Sequence, residues 1–318
     1  MLNSPFRLNT MKRQLLKLKS YVLPLFLATT SILLAVSCTS PKESIDSRRQ
    51  DFTADWTFRL SDDSTAARPD YNDADWRKLN LPHDWAVEGE FSKDNPSGTG
   101  GGALPGGVGW YRKTFTADKA DEGKHLRIDF DGAYMNSTVY INGHELGTRP
   151  YGYISFSYDL TPYIKWGEKN VIAVRVDNAE QPNSRWYSGA GIYRNVWLVK
   201  TNPVHVGQYG TYVTTENVSK SSATINLVTT IDNDSKTDAT LGVSTLIYAL
   251  DAEGKKSGGA VIHSETSNAK IVAGGSSKIE SSVTLLNPRL WGPKPTQTPN
   301  LYVAVTTLSQ NGKTIDQY

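Results

Sequence analysis

The sequence predicts an all-β chain of two successive sandwich domains, and three observations carry that prediction. From Asp51 onward, short segments rich in aromatic and β-branched residues recur, each bounded by turn residues. No helical period intervenes between them, and long runs of Ala, Glu, Lys and Leu are lacking. The chain has 318 residues, enough for two ordinary domains once an export segment is set aside.

Residues 1–38 read as a lipoprotein-type signal peptide. Met11 offers a second candidate start, followed by a basic region of Lys12, Arg13, Lys17 and Lys19. The run Tyr21–Val36 is apolar except for Thr29, Thr30 and Ser31, and Pro24 interrupts it. It falls short of the ~20 residues a spanning helix needs. It leads through Ala35, Val36 and Ser37 into Cys38, the sole cysteine of the chain. Small residues before a lone cysteine fit a signal whose thiol is lipidated and becomes the new N-terminus. An ordinary secretory signal with an incidental cysteine is the alternative, and the coincidence of Cys38 with the cleavage position favours lipidation. We therefore expect an exported protein, anchored in a membrane by an N-terminal lipid, facing the periplasm or the cell surface. Its mature part has no second thiol for a disulfide or a thiolate metal site. Residues 39–50, polar and charged, read as a tether.

The formal charge of +2 is misleading, because Arg7, Lys12, Arg13, Lys17 and Lys19 all precede Cys38. Setting those five aside from the 34 basic residues leaves 29 against 32 acidic ones. Such a balance gives no electrostatic reason to bind nucleic acid.

Residues 51–202 form the first predicted sandwich, with strands at Gly109–Thr116, Leu126–Phe130, Thr138–Ile141, Val171–Val176 and Val196–Lys200. Ile141-Asn142-Gly143-His144 is a hairpin signal, since Asn-Gly accepts the positive φ of a type I′ turn. Thr201-Asn202-Pro203 marks a seam. Residues 203–318 form the second sandwich, close in length to the ~100 residues of an immunoglobulin-like domain. Its strands are expected at Tyr212–Thr215, Ala223–Ile231, Leu241–Leu250, Ser277–Leu285 and Leu301–Leu308. A second Asn-Gly hairpin, at Asn311-Gly312, leads into Thr314–Tyr318, where a strand gets under way as the sequence stops. We expect this domain to be truncated at its C-terminus.

Signals for catalysis are mostly negative. His83, His125, His144, His205 and His263 are scattered, without HExxH or clustered ligand spacing, so no metal site is expected. No G-x-S-x-G elbow occurs. The glycine-rich stretch Gly98–Gly109 fits no phosphate-binding motif and lacks a strand–helix context. Asp129 and Asp131 lie two apart on a strand and face the same side. Spacing cannot show the ~5–5.5 Å carboxyl separation of a retaining glycosidase, and a solvated strand end explains the pair better.

The informative constellation is Gln181-Pro182-Asn183-Ser184-Arg185-Trp186-Tyr187-Ser188-Gly189-Ala190-Gly191-Ile192-Tyr193-Arg194. Trp186 and Tyr187 offer flat apolar faces with a polar edge, suited to stacking under a pyranose ring. Asn183, Ser184 and Arg185 supply donors and acceptors for hydroxyls. Residue type alone favours a second reading, in which Trp186 and Tyr193 are core residues beside a tight loop.

Three ordered stretches resemble the N-terminal part of glycoside hydrolase family 2, the β-galactosidase and β-glucuronidase family. They are Leu81-Pro82-His83-Asp84-Trp85, then Gly109-Trp110-Tyr111-Arg112-Lys113-Thr114-Phe115, then Arg185–Arg194 (RWYSGAGIYR). Asn136–Gly143 and Pro150–Asp159 fit the same jelly-roll, galactose-binding-like domain. Leu290-Trp291-Gly292-Pro293 with Pro299-Asn300-Leu301-Tyr302 resembles the end of the family's immunoglobulin-like domain. The resemblance covers about Asp51 to Tyr318.

It implies a sugar-binding jelly roll and an immunoglobulin-like sandwich, without cofactor. The family's two catalytic glutamates lie in a (β/α)₈ barrel after the second domain, and no such barrel is present in these residues. This implies the non-catalytic N-terminal part of a retaining hydrolase for terminal β-linked sugars, a β-galactoside first, inactive alone. Its partners would be carbohydrate and a barrel encoded downstream. By position, Asn183, Ser184, Arg185, Trp186 and Tyr187 would line the pocket rim as substrate-binding residues, with none catalytic, and His83 and Asp84 would fix a buried turn. Some members place an aspartate on this loop and an asparagine before the Gly-aromatic-Tyr strand. Here Ser184 or Arg185 stands near the first position and Gly106 or Gly107 near the second. A free-standing carbohydrate-binding surface lipoprotein and a structural or adhesive sandwich protein are the rival readings.

Overall fold

The computed structural model describes residues 48–184 and 186–318. The expectations for the signal peptide, Cys38, most of the tether and Arg185 lie outside the described residues. What is described is all-β, in two sandwiches, as expected.

The first sandwich pairs a six-stranded and a four-stranded sheet. The larger sheet runs in the order β3 (Arg77–Leu79), β2 (Trp56–Leu60), β4 (Gly107–Thr116), β9 (Lys169–Asn178), β6 (Ser137–Ile141) and β7 (His144–Arg149). The smaller runs β1 (Arg49–Asp51), β10 (Val196–Thr201), β5 (His125–Phe130) and β8 (Phe156–Asp159). Neighbouring strands within each sheet are antiparallel. Arg49 and Gln50, expected in the tether, instead pair with Val199 and Leu198. The unpaired edge of β10 supplies the backbone partners that an isolated tether would leave to water.

Trp56, Tyr111, Phe130, Val139, Ile172, Val174 and Ile192 fill the space between the sheets. Each fully buried aliphatic or Phe side chain contributes about 1.5–3 kcal/mol through removal from water. Strand β4 is buried on both faces. Tyr111 points into this core, while Trp110 packs with Ala66, Trp76 and Ala173 in a separate outer cluster. Arg112 is also buried, and its guanidinium is satisfied by Asp73 at 3.1 Å and by the carbonyls of Ala66, Arg68 and Tyr71. Five fixed donors in a fork make arginine suited to that many-partner burial. The β6–β7 turn is the expected one, with positive φ at Asn142 (50°) and Gly143 (84°).

The second sandwich sets β11 (Val204–Glu216), β12 (Ser222–Asn233) and β15 (Gly275–Leu286) against β14 (Ile262–Ile271), β13 (Ala239–Ala249), β16 (Tyr302–Gln310) and β17 (Lys313–Gln317). Burial alternates without a break along β12, which sends Ala223, Ile225, Leu227, Thr229, Ile231 and Asn233 inward. Val206, Leu241, Ile271 and Leu308 join Ile231 in the core.

The seam is tight. Only Asn202 and Pro203 separate β10 from β11. Arg48 Nη1 lies 2.6 Å from Asp316 Oδ2, both side chains are nearly buried, and Asp316 also accepts from Val206 N at 2.7 Å. Arg48 Nη2 donates to Val206 O, and Asn202 Nδ2 donates to Ile315 O.

Candidate functional site

The β9–β10 connection carries the constellation singled out from sequence. Its anchor is Asn178, the buried last residue of β9. Asn178 Nδ2 donates to Gly189 O at 3.1 Å, and its Oδ1 accepts from Gln181 Nε2 and Asn183 Nδ2, both at 2.6 Å. One side chain therefore ties the loop's two limbs together.

Two tyrosines brace the loop, Tyr134 from the β5–β6 connection and Tyr153 from the β7–β8 connection. Tyr134 Oη donates to Asn183 Oδ1 at 2.8 Å. Tyr153 Oη donates to Tyr187 O at 2.9 Å, which commits its only proton, so Ser184 Oγ donates to Tyr153 Oη at 3.0 Å. The Tyr134 and Tyr153 rings meet edge to face at 5.2 Å, and Tyr151 adds a third ring 5.6 Å from Tyr153. Burial pushes the Tyr134 hydroxyl up to about 12, so it remains a neutral donor at physiological pH.

From the opposite side the His83-Asp84-Trp85 stretch zips onto the loop. His83 N donates to Ile192 O and Trp85 N to Ala190 O, each at 2.9 Å. Between them, Asp84 Oδ1 accepts from Ala86 N and Ala190 N at 2.9 Å, and Oδ2 accepts from Tyr187 Oη at 2.8 Å. Burial first, and then the Asp84 carboxylate, push the Tyr187 hydroxyl upward, keeping it protonated. His83 is buried, with Nδ1 2.7 Å from Tyr111 Oη and Nε2 3.2 Å from Glu88 Oε2. Glu88 also takes two bonds from Arg77, at 2.5 and 2.9 Å, and that arginine first, then His83, hold its carboxyl down to about 2. Burial lowers His83, leaving a neutral imidazole that accepts from Tyr111 and donates to Glu88.

The glycines make this close approach possible. A Cβ on Gly189 would run into Asp84 Oδ2, and one on Gly191 would lie 2.6 Å from His83 O and collide with Tyr111 Oη. Gly191 also has φ of +128°, which L side chains rarely adopt.

The site residues thus separate into two groups. Asn183 and Ser184 are half-buried, and their polar atoms are engaged within the loop. Trp186 is 71% exposed and Tyr187 57% exposed, and Tyr151 is exposed as well. The core reading of Trp186 and Tyr193 fails for Trp186, while Tyr193 is half-buried with its hydroxyl on Gly152 O at 2.8 Å. Tyr134, Tyr153 and Asp84 are the structural partners that residue type alone did not single out. The Asp129 and Asp131 pair is not a solvated strand end. Arg127 clamps Asp129 at 2.6 Å, and Trp197 Nε1 donates to Asp131 at 2.9 Å, because β10 lies directly beside β5.

Comparison with known proteins matches this architecture. The model of the sugar binding domain of glycosyl hydrolases family 2 matches residues 102–202, and a second model of glycosyl hydrolases family 2 matches residues 204–318. The β-galactosidase BoGH2A of Bacteroides ovatus is 57% identical over 282 residues, covering 89% of this chain and 31% of that protein. A protein named as a putative β-glucuronidase from Formosa agariphila is 39% identical over 271 residues, 84% of this chain and 24% of its own length. The crystal structure of a β-glycosidase from Bacteroides vulgatus superposes with a TM-score of 0.75 at 38% identity, over 85% of this chain and 33% of that one. The chain therefore spans about a third or less of each of these three proteins. It belongs to glycoside hydrolase family 2, of which it carries the sugar-binding jelly roll and the immunoglobulin-like domain.

Proposed function

We propose that these two domains are the non-catalytic N-terminal part of a retaining glycosidase acting on terminal β-linked sugars, a β-galactoside first. The β9–β10 loop lines the rim of a pocket whose two acids come from a barrel outside these residues. In that scheme one barrel carboxyl protonates the leaving oxygen while the other attacks the anomeric carbon, and the first then activates water. The present chain contributes shape and a sugar-facing surface.

The observation that carries this reading is the loop itself. Three tyrosine hydroxyls, Asp84 and Asn178 hold it rigidly, yet Trp186 and Tyr187 stay exposed at its crest. A site held by neighbouring side chains with outward aromatic faces is what stacking on a sugar ring requires. The Asp84 carboxylate accepts two amides and a hydroxyl, which leaves it unsuited to proton transfer with a substrate. The galactoside preference is supported by the name of the 57%-identical relative. We also propose that Cys38 is lipidated and tethers the protein to a membrane.

The test compares the chain alone with the chain joined to the barrel of the Bacteroides ovatus relative, using a chromogenic β-galactoside. The chain alone should match a heat-killed control, and the joined protein should turn over. Turnover by the isolated chain, lost when a carboxyl within residues 48–318 is removed, refutes the proposal. The exposed aromatic pair also favours a second reading, a surface lipoprotein that captures glycans without cleaving them. Sugar binding by the isolated chain, lost in Trp186→Ala, would favour that reading over the first.

A further inference from the structure

Two histidines and a carboxylate at the seam between the sandwiches have no part in the loop described above. His125 opens β5, His205 is the second residue of β11, and Asp234 follows the end of β12. Their separation along the chain hides them from any spacing motif, yet one donor atom from each lies within 4.8 Å of the others. We propose that His125, His205 and Asp234 bind one divalent transition-metal ion of the zinc type, which bridges the jelly roll and the immunoglobulin-like sandwich.

The donor set points to that class of ion. Two imidazoles and one carboxylate suit zinc, cobalt or nickel, whereas calcium and magnesium prefer oxygen donors alone. The spacing is also close to what coordination needs. Ligands about 2.0–2.1 Å from a tetrahedral zinc stand roughly 3.3 Å from one another. His125 Nδ1 and Asp234 Oδ2 are already 3.6 Å apart. Asp234 is exposed, so rotation of its side chain can close the remaining gap, and its open side leaves a coordination position for water.

The His125 imidazole is oriented from behind. His125 Nε2 lies 3.1 Å from Asp159 Oδ1, so an N–H donated there leaves the Nδ1 lone pair facing Asp234. This carboxylate–imidazole–ion order fixes the tautomer and raises the basicity of the ligating nitrogen. His205 presents Nδ1 to the cluster, 3.9 Å from Asp234 Oδ2, and the same nitrogen lies 3.0 Å from Asn202 O, so an ion would take its lone pair in exchange for that hydrogen bond. The two rings stack at 5.4 Å with 23° between their planes, one from each sandwich. Two protonated rings would repel at that distance, whereas two neutral rings sharing a cation with Asp234 would not. The site is independent of the glycosidase reading.

The experiment titrates zinc chloride, and separately cobalt chloride, into the untagged chain after chelator treatment, by calorimetry and metal analysis. The expected result is uptake of about one ion per chain, with cobalt giving the visible bands of a four-coordinate N/O site. His125→Gln and Asp234→Asn should each weaken zinc binding at least about tenfold. Both positions are on the surface side of the cluster, and their circular dichroism and chelator-treated melting should match the parent. Asp159→Asn should weaken binding less than His125→Gln while leaving the stoichiometry unchanged. The proposal is overturned by no uptake under excess zinc, by zinc affinity unaltered in both His125→Gln and Asp234→Asn, or by calcium binding as tightly as zinc.

Discussion

Replacing Asp84 by alanine should loosen the β9–β10 loop without dismantling the sandwich. Asp84 accepts hydrogen bonds from Ala86 N, Ala190 N and Tyr187 Oη, all at 2.8–2.9 Å. A hydrogen bond to an ionised acceptor contributes about 1.5–3 kcal/mol. The Tyr187 hydroxyl sits on an exposed residue and recovers water when released, so the two backbone amides dominate. Their combined loss amounts to about 3–5 kcal/mol of local stability, allowing for partial rehydration. The direct readout is deuterium exchange of the Ala190 amide. Loss of its acceptor, at about 1.4 kcal/mol per factor of ten, should speed exchange roughly 10- to 150-fold. Amides inside β9, such as that of Val174, should change far less. Asp84→Asn keeps an acceptor for the amides without its charge, and should fall between wild type and alanine. Tyr187→Phe should leave the Ala190 amide within about a factor of two, since it removes only the exposed partner. Unchanged Ala190 exchange in Asp84→Ala would refute the claim that this carboxylate holds the loop.

Gly191→Ala should cost about 3–5 kcal/mol, from a strained φ of +128° together with a Cβ pressed against His83 O, and a urea midpoint measures it. Asp316→Ala strands the buried Arg48 guanidinium and should cost about 3–5 kcal/mol, while Arg48→Met with Asp316→Leu should cost less, about 1–3 kcal/mol, for the Val206 amide left without its acceptor. Equal losses in the single and double variants would refute that account of the seam. Acid should destabilise the fold in two stages. Burial lowers the folded-state value of His83, so the unfolded chain binds that proton first and stability falls from about pH 7 toward 5. Glu88, held down to about 2 chiefly by Arg77, adds stability above its ordinary range of about 4.5 that is lost as pH falls toward 2. Urea midpoints across pH should show a shallower slope near neutrality in His83→Gln, and an identical slope would exclude His83 as the source.

Strands with a strong internal pattern were legible from sequence. The alternation along β12 and the aromatic run of β4 place those elements within two residues of their observed ends. The Asn142-Gly143 turn was legible because few residue pairs accept two successive positive φ angles. Strand β14 was not. Its residues are polar, only Ser264, Ala269 and Ile271 point inward, and as an edge strand it needs one partner rather than an apolar face. For the loop, the aromatic and glycine residues carried the signal, but the direction of each side chain did not. Asn183 has the chemistry of a sugar ligand and is nevertheless an internal brace, because Tyr134, from a segment distant in sequence, and Asn178, at the end of β9, both reach it. The seam cluster was invisible for the same reason, since His125 and His205 belong to different domains.

The ion pair between Arg48 and Asp316 joins positions 268 apart. A polypeptide made N-terminus first delivers the guanidinium long before its carboxylate. The jelly roll can finish its own sheet once Thr201 is made, because β1 needs only β10. Its exposed arginine must then wait, hydrated, until the far hairpin arrives and shuts water out. The setting of the two sandwiches on one another therefore waits on the second of them, whose β16–β17 hairpin must be in place before the pair can close.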